Sequence, residues 1–217
     1  MINKSLIKFG FEWMRDKKAA AIFWSAIYFV LRRLNMLNEK LDYSLARMFN
    51  RNFIYYIAKI NDSLMYIDFN DEGISRQLYL HKKRERFSTD YIKEIVREQD
   101  TIIDIGANSG YYALLESRLA NKGIVYAIEP VPKNTELLRR NIELNDYKNI
   151  QVFPVAMGDK NGEEEMYIYE KGNLCSFTKN IQDNPIGKIN IPIMTLDSFV
   201  EKHVSGYPTL IRMDVEG

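Results

Sequence analysis

From residue 101 onward, short apolar runs alternate with segments in which apolar residues recur every three or four positions. The runs predict buried strands at residues 101–105, 124–128 and 150–155, and the periodic segments predict helices at residues 111–120 and 132–145. Strands that alternate with helices at this spacing indicate a parallel sheet with right-handed crossovers. This part of the chain is therefore expected to be an α/β domain.

After Asp159 the pattern changes. Residues 188–194 alternate between polar and apolar positions, and residues 164–169 are rich in aromatic and β-branched side chains; together they predict a strand pair instead of a crossover helix. A short helix should follow, and then a strand at residues 210–213 that leads into Asp214. We expect this last strand to be central in the sheet. A central strand needs a neighbour on both sides, so the sequence is expected to be part of a longer protein with further strands.

The first hundred residues have a different character. Helical spacing predominates through residues 41–60, and an alternating run at 63–69 predicts a strand that ends in turn residues. A helix is predicted at residues 89–98. We therefore divide the chain into a mainly helical N-terminal extension (1–60), a connecting segment (61–100) and the α/β domain (101–217).

Charge is distributed unevenly between these parts. Between Met1 and Lys59 there are eleven Lys or Arg and four Asp or Glu, a net charge of +7, which leaves −6 for the remainder of a chain whose total is +1. A basic leading segment suits either a solvated helical face or an anionic membrane surface. The apolar run from Ala19 to Leu31 is shorter than the ~20 residues of a membrane-spanning helix. Its spacing favours a buried helix over an interfacial one.

Cysteine and histidine usage restricts the chemistry further. Cys175 is the single cysteine, so an intramolecular disulfide is excluded, and His81 and His203 match no metal-ligand spacing. No signal-peptide cleavage site follows the apolar run. We therefore expect a cytoplasmic protein, in contact with membrane at most through its basic N-terminal segment, and with no metal site.

The carboxyl ends of parallel strands are where such sheets bind ligands, and three of these ends, on consecutive strands, carry unusual residues. Gly106 and Gly110 allow the backbone to approach a ligand and to turn into a helix whose N-terminus attracts an anionic group. Glu129 ends the next strand, nineteen residues after Gly110, where a carboxylate can accept hydrogen bonds from both ribose hydroxyls. The combination predicts a nucleoside-containing ligand.

The loop also indicates which nucleoside. Asn108 occupies the middle position where a dinucleotide fingerprint has glycine, and Asp104 would repel a pyrophosphate. An acidic residue at this position suits the ammonium group of S-adenosylmethionine. An NAD-linked oxidoreductase remains an alternative, as does a noncatalytic binding or membrane-docking protein.

The chain resembles the FkbM-type family of S-adenosylmethionine-dependent methyltransferases over about residues 73–217. The resemblance is carried by Asp-Ile-Gly-Ala-Asn-Ser-Gly at 104–110, Ala-Ile-Glu-Pro at 127–130, Asn-Ile-Glu-Leu-Asn at 141–145, Val-Ala-Met-Gly-Asp at 155–159 and Met-Asp-Val-Glu-Gly at 213–217. It implies a Rossmann-like class I methyltransferase sheet and O-methylation of a hydroxyl on a sugar, glycan, lipid or other small molecule.

The resemblance also implies site residues. The residues that would surround the methionine end, the ribose and the adenine are, in chain order, Asp104, Gly106, Ala107, Asn108, Gly110, Glu129, Pro130, Ala156, Met157, Gly158 and Asp159. Asp214 and Glu216 are candidate bases, because alternate residues at a strand end can direct one carboxylate toward the ligand. Methyltransferases of base or amide nitrogens usually have Asn/Asp-Pro-Pro-aromatic at that point, so no nucleic-acid partner is expected.

Overall fold

The computed structural model divides the chain into two compact units, Met1–Tyr55 and Tyr56–Gly217. It describes residues 24, 26–28, 30–34, 36–49, 55–69, 71, 73–169, 175–177, 185 and 187–215.

The described part of the first unit is helical, as the sequence predicts. Helical residues between 24 and 33 precede α1 (Glu39–Phe49), and the buried Tyr28 donates a hydrogen bond of 2.9 Å from its hydroxyl to Asp42. Residues 1–23, which include the start of the candidate interfacial helix, lie outside the described residues. The helices described in this chain fall short of the length and apolarity that a membrane crossing requires.

Residues 55–60 form a strand, which corrects the expectation that the helical part extends to residue 60. Strands β1 (Tyr55–Ile60) and β2 (Ser63–Asp68) pair with each other. The turn between them, Asn61 and Asp62, has φ values of 48° and 66°. These are the left-handed conformations of a two-residue hairpin turn, which asparagine and aspartate tolerate best. Side chains toward the end of β1 alternate between exposed and buried, so the relevant period is two residues.

Two helices follow the hairpin. The sequence did not predict α2 (Ile74–His81), whose start is held by Asp71: its carboxylate accepts hydrogen bonds from the backbone N–H groups of Gly73 and Ser75. Helix α3 (Arg86–Ile95) begins three residues earlier than predicted. It buries Thr89 and Ile92.

The central sheet is parallel, with strand order β10-β3-β4-β5, and two helices connect its strands. Its elements are β3 (Thr101–Ile105), α4 (Tyr111–Leu119), β4 (Ile124–Ile128), α5 (Pro132–Leu144), β5 (Ile150–Phe153) and β10 (Leu210–Met213). The predicted α/β class and parallel pairing are confirmed. Within the described residues β10 pairs with β3 alone and lies at the edge of this sheet, so the expectation that it is central in a longer protein stays a prediction.

A second sheet has the strand order β6-β9-β7-β8. Its strands are β6 (Ala156–Met157), β7 (Gly162–Ile168), β8 (Cys175–Ser176) and β9 (Gly187–Met194). Strands β7 and β9 pair with each other, as predicted, and run antiparallel. Helix α6 (Leu196–His203) returns the chain to the central sheet. The fully buried Phe199 of α6 packs edge-on against Phe153 with ring centroids 4.9 Å apart.

Helix α5 is fastened both to β2 and to the loop that follows β3. The side chain of Asn141 is fully buried; its Oδ1 accepts from the N–H of Tyr66 and its Nδ2 donates to the carbonyl of Ser109, both at 2.8 Å. A buried amide that satisfies two backbone groups fixes them firmly, because either would be costly to leave unpaired. The side chain of Asn141 thus links the loop after β3 to α5 and to β2.

Candidate active site

A cavity of about 400 Å³ opens at the carboxyl ends of β3 and β4. This is a volume typical of small-molecule sites. Eight of the residues predicted from the sequence line it: Gly106, Ala107, Asn108, Glu129, Pro130, Ala156, Met157 and Asp214.

The loop between β3 and α4 is bent sharply against its neighbours. The N–H groups of Gly106 and Ala107 both donate to the carbonyl of Ile128, at 2.9 and 3.0 Å. Gly106 has a φ of +80°, and a Cβ there would lie 2.2 Å from the carbonyl oxygen of Asp214. Glycine is therefore required for two reasons, the left-handed conformation and the close approach of a second backbone segment.

The N-terminus of α4 is available to an anionic group. Gly110, with φ +96°, precedes the helix, and no side chain caps it. The first N–H groups of a helix have no partner within the helix, and they lie at the positive end of its dipole. An uncapped terminus beside this cavity suits the carboxylate of an amino-acid moiety.

Glu129 is tied to the loop through its carboxylate. Its side chain is 4% exposed; Oε2 accepts from the N–H of Asn108 at 2.9 Å, and Oε1 accepts from the N–H of Val131 at 2.9 Å and from Asn134 at 3.3 Å. Burial raises the pKa of Glu129, and the N–H groups of Val131 and Asn108 limit that rise. A carboxylate has about four acceptor positions, so these bonds leave capacity for a ligand hydroxyl.

Asp104 does not line the cavity, although the resemblance implies a place for it beside the methionine end of the ligand. Its carboxylate is fully buried behind the loop, with Oδ1 2.9 Å from Nε of Arg212. The two groups form an ion pair, but the N–H of Arg212 does not point at the oxygen. Neither oxygen of Asp104 accepts a well-aligned hydrogen bond from a described residue. Burial raises the pKa of Asp104 and Arg212 opposes that rise. The Asp104 carboxylate is directed away from the cavity because it pairs with Arg212, a buried cation that the local sequence around Asp104 does not reveal.

Arg212 is the centre of a charged cluster that the sequence analysis missed. Its Nε is 3.8 Å from Oε1 of the fully buried Glu116, its Nη1 is 3.6 Å from Oδ2 of Asp214, and its guanidinium lies 4.0 Å from the centre of the Tyr112 ring. Burial raises the pKa of Glu116 well above its ordinary value, and the Asp104 charge raises it further. Two acidic residues at buried positions of neighbouring elements were the signal that a cation must lie between them.

Three further residues named from the sequence lie off the cavity wall. Gly110 and Gly158 serve packing, because a Cβ at either would lie 2.6 Å from a side-chain carbon, of Leu138 and Ile193 respectively. Asp159 is exposed to solvent on the described surface. Glu216 lies outside the described residues, so its proposed role as a base is untested.

The opposite wall comes from residues that the sequence analysis did not assign to the site. Part of it comes from α2 and the loop after it, and part from the second sheet; these residues include Gly73, Ile74, Gln77, Arg84, Met166 and Phe177. These residues lie far from the glycine loop in the sequence, and the fold brings them to it.

Known proteins resemble parts of this chain. The family described as "Methyltransferase FkbM domain" matches residues 104–217. Protein-L-isoaspartate O-methyltransferase 1 of Archaeoglobus fulgidus is 32% identical over 113 residues, 48% of this chain and 51% of the relative. The corresponding enzyme of Methanothrix thermoacetophila is 27% identical over 106 residues, 45% and 49%. The chain thus spans about half the length of these relatives.

A solved structure shows a partial likeness. The crystal structure of Methanocaldococcus jannaschii TYW2 in complex with AdoMet is 22% identical and has a TM-score of 0.39, covering 46% of this chain and 42% of that one. The family match covers more than half of the chain. The chain therefore belongs to the FkbM methyltransferase family, whose members are S-adenosylmethionine-dependent methyltransferases.

Proposed function

We propose that the cavity binds S-adenosylmethionine and that the protein methylates a hydroxyl oxygen of a sugar, glycan, lipid or other small molecule. The observation that supports this most is that the glycine loop and Glu129 line one cavity and are joined by the hydrogen bond from Asn108. Glu129, whose carboxylate can accept hydrogen bonds from a diol, therefore lies in the same cavity wall as the uncapped N-terminus of α4. The carboxylate is complementary to the ribose of the cofactor, and the helix N-terminus is complementary to its amino-acid carboxylate.

Each wall has a distinct task in this proposal. The N-terminus of α4 would hold the carboxylate, Glu129 the ribose hydroxyls, and Ala156 and Met157 the adenine, with Pro130 beside the ribose. Asp104 contributes from behind the loop by fixing Arg212 and adding negative potential. S-adenosylmethionine supplies a methyl group activated by a sulfonium, so the protein mainly has to align an acceptor oxygen and exclude water.

Asp214 is the proposed general base. It lines the cavity with its side chain 48% exposed, and the Arg212 guanidinium lies 3.6 Å away on its inner side. A carboxylate held from one side and open on the other can take the proton of an approaching hydroxyl as the bond to carbon forms. Its backbone N–H donates to the carbonyl of Ile105, which fixes it to the end of β3.

Glu129→Gln should weaken binding of S-adenosylhomocysteine by about tenfold or more, equivalent to about 1.4 kcal/mol. The substitution replaces one acceptor oxygen by a donor in a position that faces N–H groups of Asn108 and Val131. Isothermal titration calorimetry would measure the loss. Glu136→Gln, on the exposed side of α5, is the control and should change nothing.

A 2′,3′-dideoxyribose analogue of S-adenosylhomocysteine separates ribose recognition from a structural role. The natural compound should bind the wild type more tightly than the analogue, and Glu129→Gln should abolish that preference. If the variant keeps the full preference, Glu129 does not hold the diol.

Transfer from methyl-labelled S-adenosylmethionine tests the acceptor class. We expect label in small hydroxyl compounds, in a form stable to mild alkali, because methyl ethers resist hydrolysis that cleaves methyl esters. Alkali-labile label would mean carboxyl methylation, as the name of the isoaspartate relatives describes for those proteins. Label recovered in added RNA or protein would contradict the small-molecule acceptor.

A further inference from the structure

The segment between α2 and α3 presents one side chain to the cavity and is held unusually firmly. Arg84 lines the cavity with its side chain 24% exposed. Two other residues of this segment, Lys82 and Glu85, have φ values of 55° and 45°. They are the C-cap of α2 and the N-cap of α3, so the segment is a short connection held between two helix ends.

The backbone of Arg84 is fixed by the first turn of α4, directly after the glycine loop. The hydroxyl of Tyr111 accepts from the N–H of Arg84 and donates to its carbonyl, both at 3.0 Å. The hydroxyl of Thr89 donates to the same carbonyl at 2.8 Å. Arg84 is thus held at a set position relative to the cofactor loop.

Its side chain is fixed through Glu85. One carboxylate oxygen of Glu85 lies 2.6 Å from Nε of Arg84, and the other accepts a hydrogen bond of 2.9 Å from the hydroxyl of Tyr112. Burial, together with Glu85, raises the pKa of Tyr112 to about 12. The phenol therefore keeps its proton at neutral pH and continues to hold Glu85. Two adjacent tyrosines of α4 thereby position both the backbone and the side chain of Arg84.

The charged side chains of the cavity wall differ in how many hydrogen bonds and ion pairs they already form within the protein. Glu129 accepts from three donors of the loop and α5, and Arg212 faces the carboxylates of Asp104, Glu116 and Asp214. In the ion pair of Arg84, Nε is the nitrogen closest to Glu85. Among the residues that the structure describes, none accepts a hydrogen bond from its two terminal NH₂ groups.

We propose that Arg84 binds an anionic oxygen group, a carboxylate or a phosphate, on the methyl acceptor. The inference rests on the proposed function, which it makes more specific: the acceptor is an acidic hydroxyl compound. A guanidinium whose Nε is engaged still presents a planar pair of N–H donors, which match two oxygens of such a group. The cofactor's own carboxylate has its place at the N-terminus of α4, so the two anionic groups need separate binding positions.

The experiment titrates acetate and inorganic phosphate into protein saturated with S-adenosylhomocysteine, at low ionic strength and constant pH, with binding followed by NMR chemical shifts. We expect saturable binding of at least one anion, and the stronger one identifies carboxylate or phosphate as the acceptor's group. Arg84→Gln should weaken it at least tenfold and leave the affinity for S-adenosylhomocysteine unchanged within about twofold. Arg84→Lys should retain part of the anion affinity, because it keeps the charge but loses the fork.

Arg86→Gln is the matched control. Arg86 is two residues away and highly exposed, and it faces Asp90 at 3.7 Å. The proposal is overturned if Arg84→Gln binds the anions as the wild type does, or if Arg86→Gln loses binding equally. It is also overturned if Arg84→Gln loses S-adenosylhomocysteine, because Arg84 would then hold the cofactor's carboxylate. Failure of the wild type to bind S-adenosylhomocysteine would instead refute the proposed function, and titration of the cofactor-free protein would still test Arg84.

Discussion

Arg212→Met is expected to lower the free energy of unfolding by about 3–5 kcal/mol at neutral pH, the loss found when one partner of a buried ion pair is removed. Asp104 and Glu116 are both fully buried, and Arg212 is the cation that faces them in the described structure. Methionine fills a similar volume, so the loss reports mainly the uncompensated charge. Urea denaturation followed by circular dichroism would measure it.

The loss should depend on pH in a definite direction. The pKa values of Asp104 and Glu116 are raised above their ordinary values of 3.8 and 4.5, mainly by burial. Carboxyls with raised pKa values stabilise the folded state fully below those ordinary values, and this contribution is lost as the pH rises through the folded-state pKa. Without Arg212 both values rise further. The difference between wild type and variant should therefore be smaller at pH 5 than at pH 8.

Two companion variants identify the cause. Glu116→Gln removes one carboxyl at constant size, so it should be more stable than the wild type at pH 8 and similar to it near pH 4.5, and it should recover part of the Arg212→Met loss. Arg139→Met makes the same exchange on the exposed face of α5, where an effect within about 0.5 kcal/mol is expected. An Arg212→Met loss that is equal at pH 5 and pH 8 would contradict the electrostatic explanation.

The elements predicted best from the sequence are those whose pattern of apolar and polar residues fits only one type of secondary structure. Strands β3, β4 and β10 have the predicted bounds, because each is an apolar run enclosed by turn residues. Residues 55–60 could be interpreted as either helix or strand, and the Asn61-Asp62 turn that decides the matter was not recognised. Helix α2 is short and half exposed, so its pattern is weak.

The site was predictable in part for the same reason. A glycine or a carboxylate beside a strand end has a local cause, so Gly106 and Glu129 were identified directly. The side chain of Arg84 pairs with the adjacent Glu85, but its backbone is held by Tyr111, and Arg212 pairs with Asp104. Both of these partners are more than twenty residues away, and no local pattern specifies such contacts. Asp104 shows most clearly what the sequence could not predict. The acidic residue itself was identified, but the orientation of its side chain depends on Arg212, over one hundred residues later in the chain.

Gly106→Ala is expected to reduce affinity for S-adenosylhomocysteine by about 100-fold or more, equivalent to about 2.7 kcal/mol. The left-handed φ of +80° alone disfavours alanine by about 1–2 kcal/mol. In addition, the new Cβ would lie 2.2 Å from the carbonyl oxygen of Asp214. That atom belongs to backbone held to β3, so it cannot move aside as a side-chain end could. The loop must shift, and its hydrogen bonds to Ile128 must lengthen.

Gly206→Ala separates the two causes. Gly206 has nearly the same φ, +84°, but a Cβ there would have no described neighbour within 4 Å. Its variant should lose only the conformational part of the stability, about 1–2 kcal/mol, and should bind S-adenosylhomocysteine as the wild type does. Calorimetric titration of both variants, together with their urea midpoints, gives the comparison. If Gly106→Ala binds S-adenosylhomocysteine as tightly as Gly206→Ala does, the prediction is wrong. The loop would then bind the ligand even when the new Cβ displaces it, so its close approach to Asp214 would not shape the cofactor site.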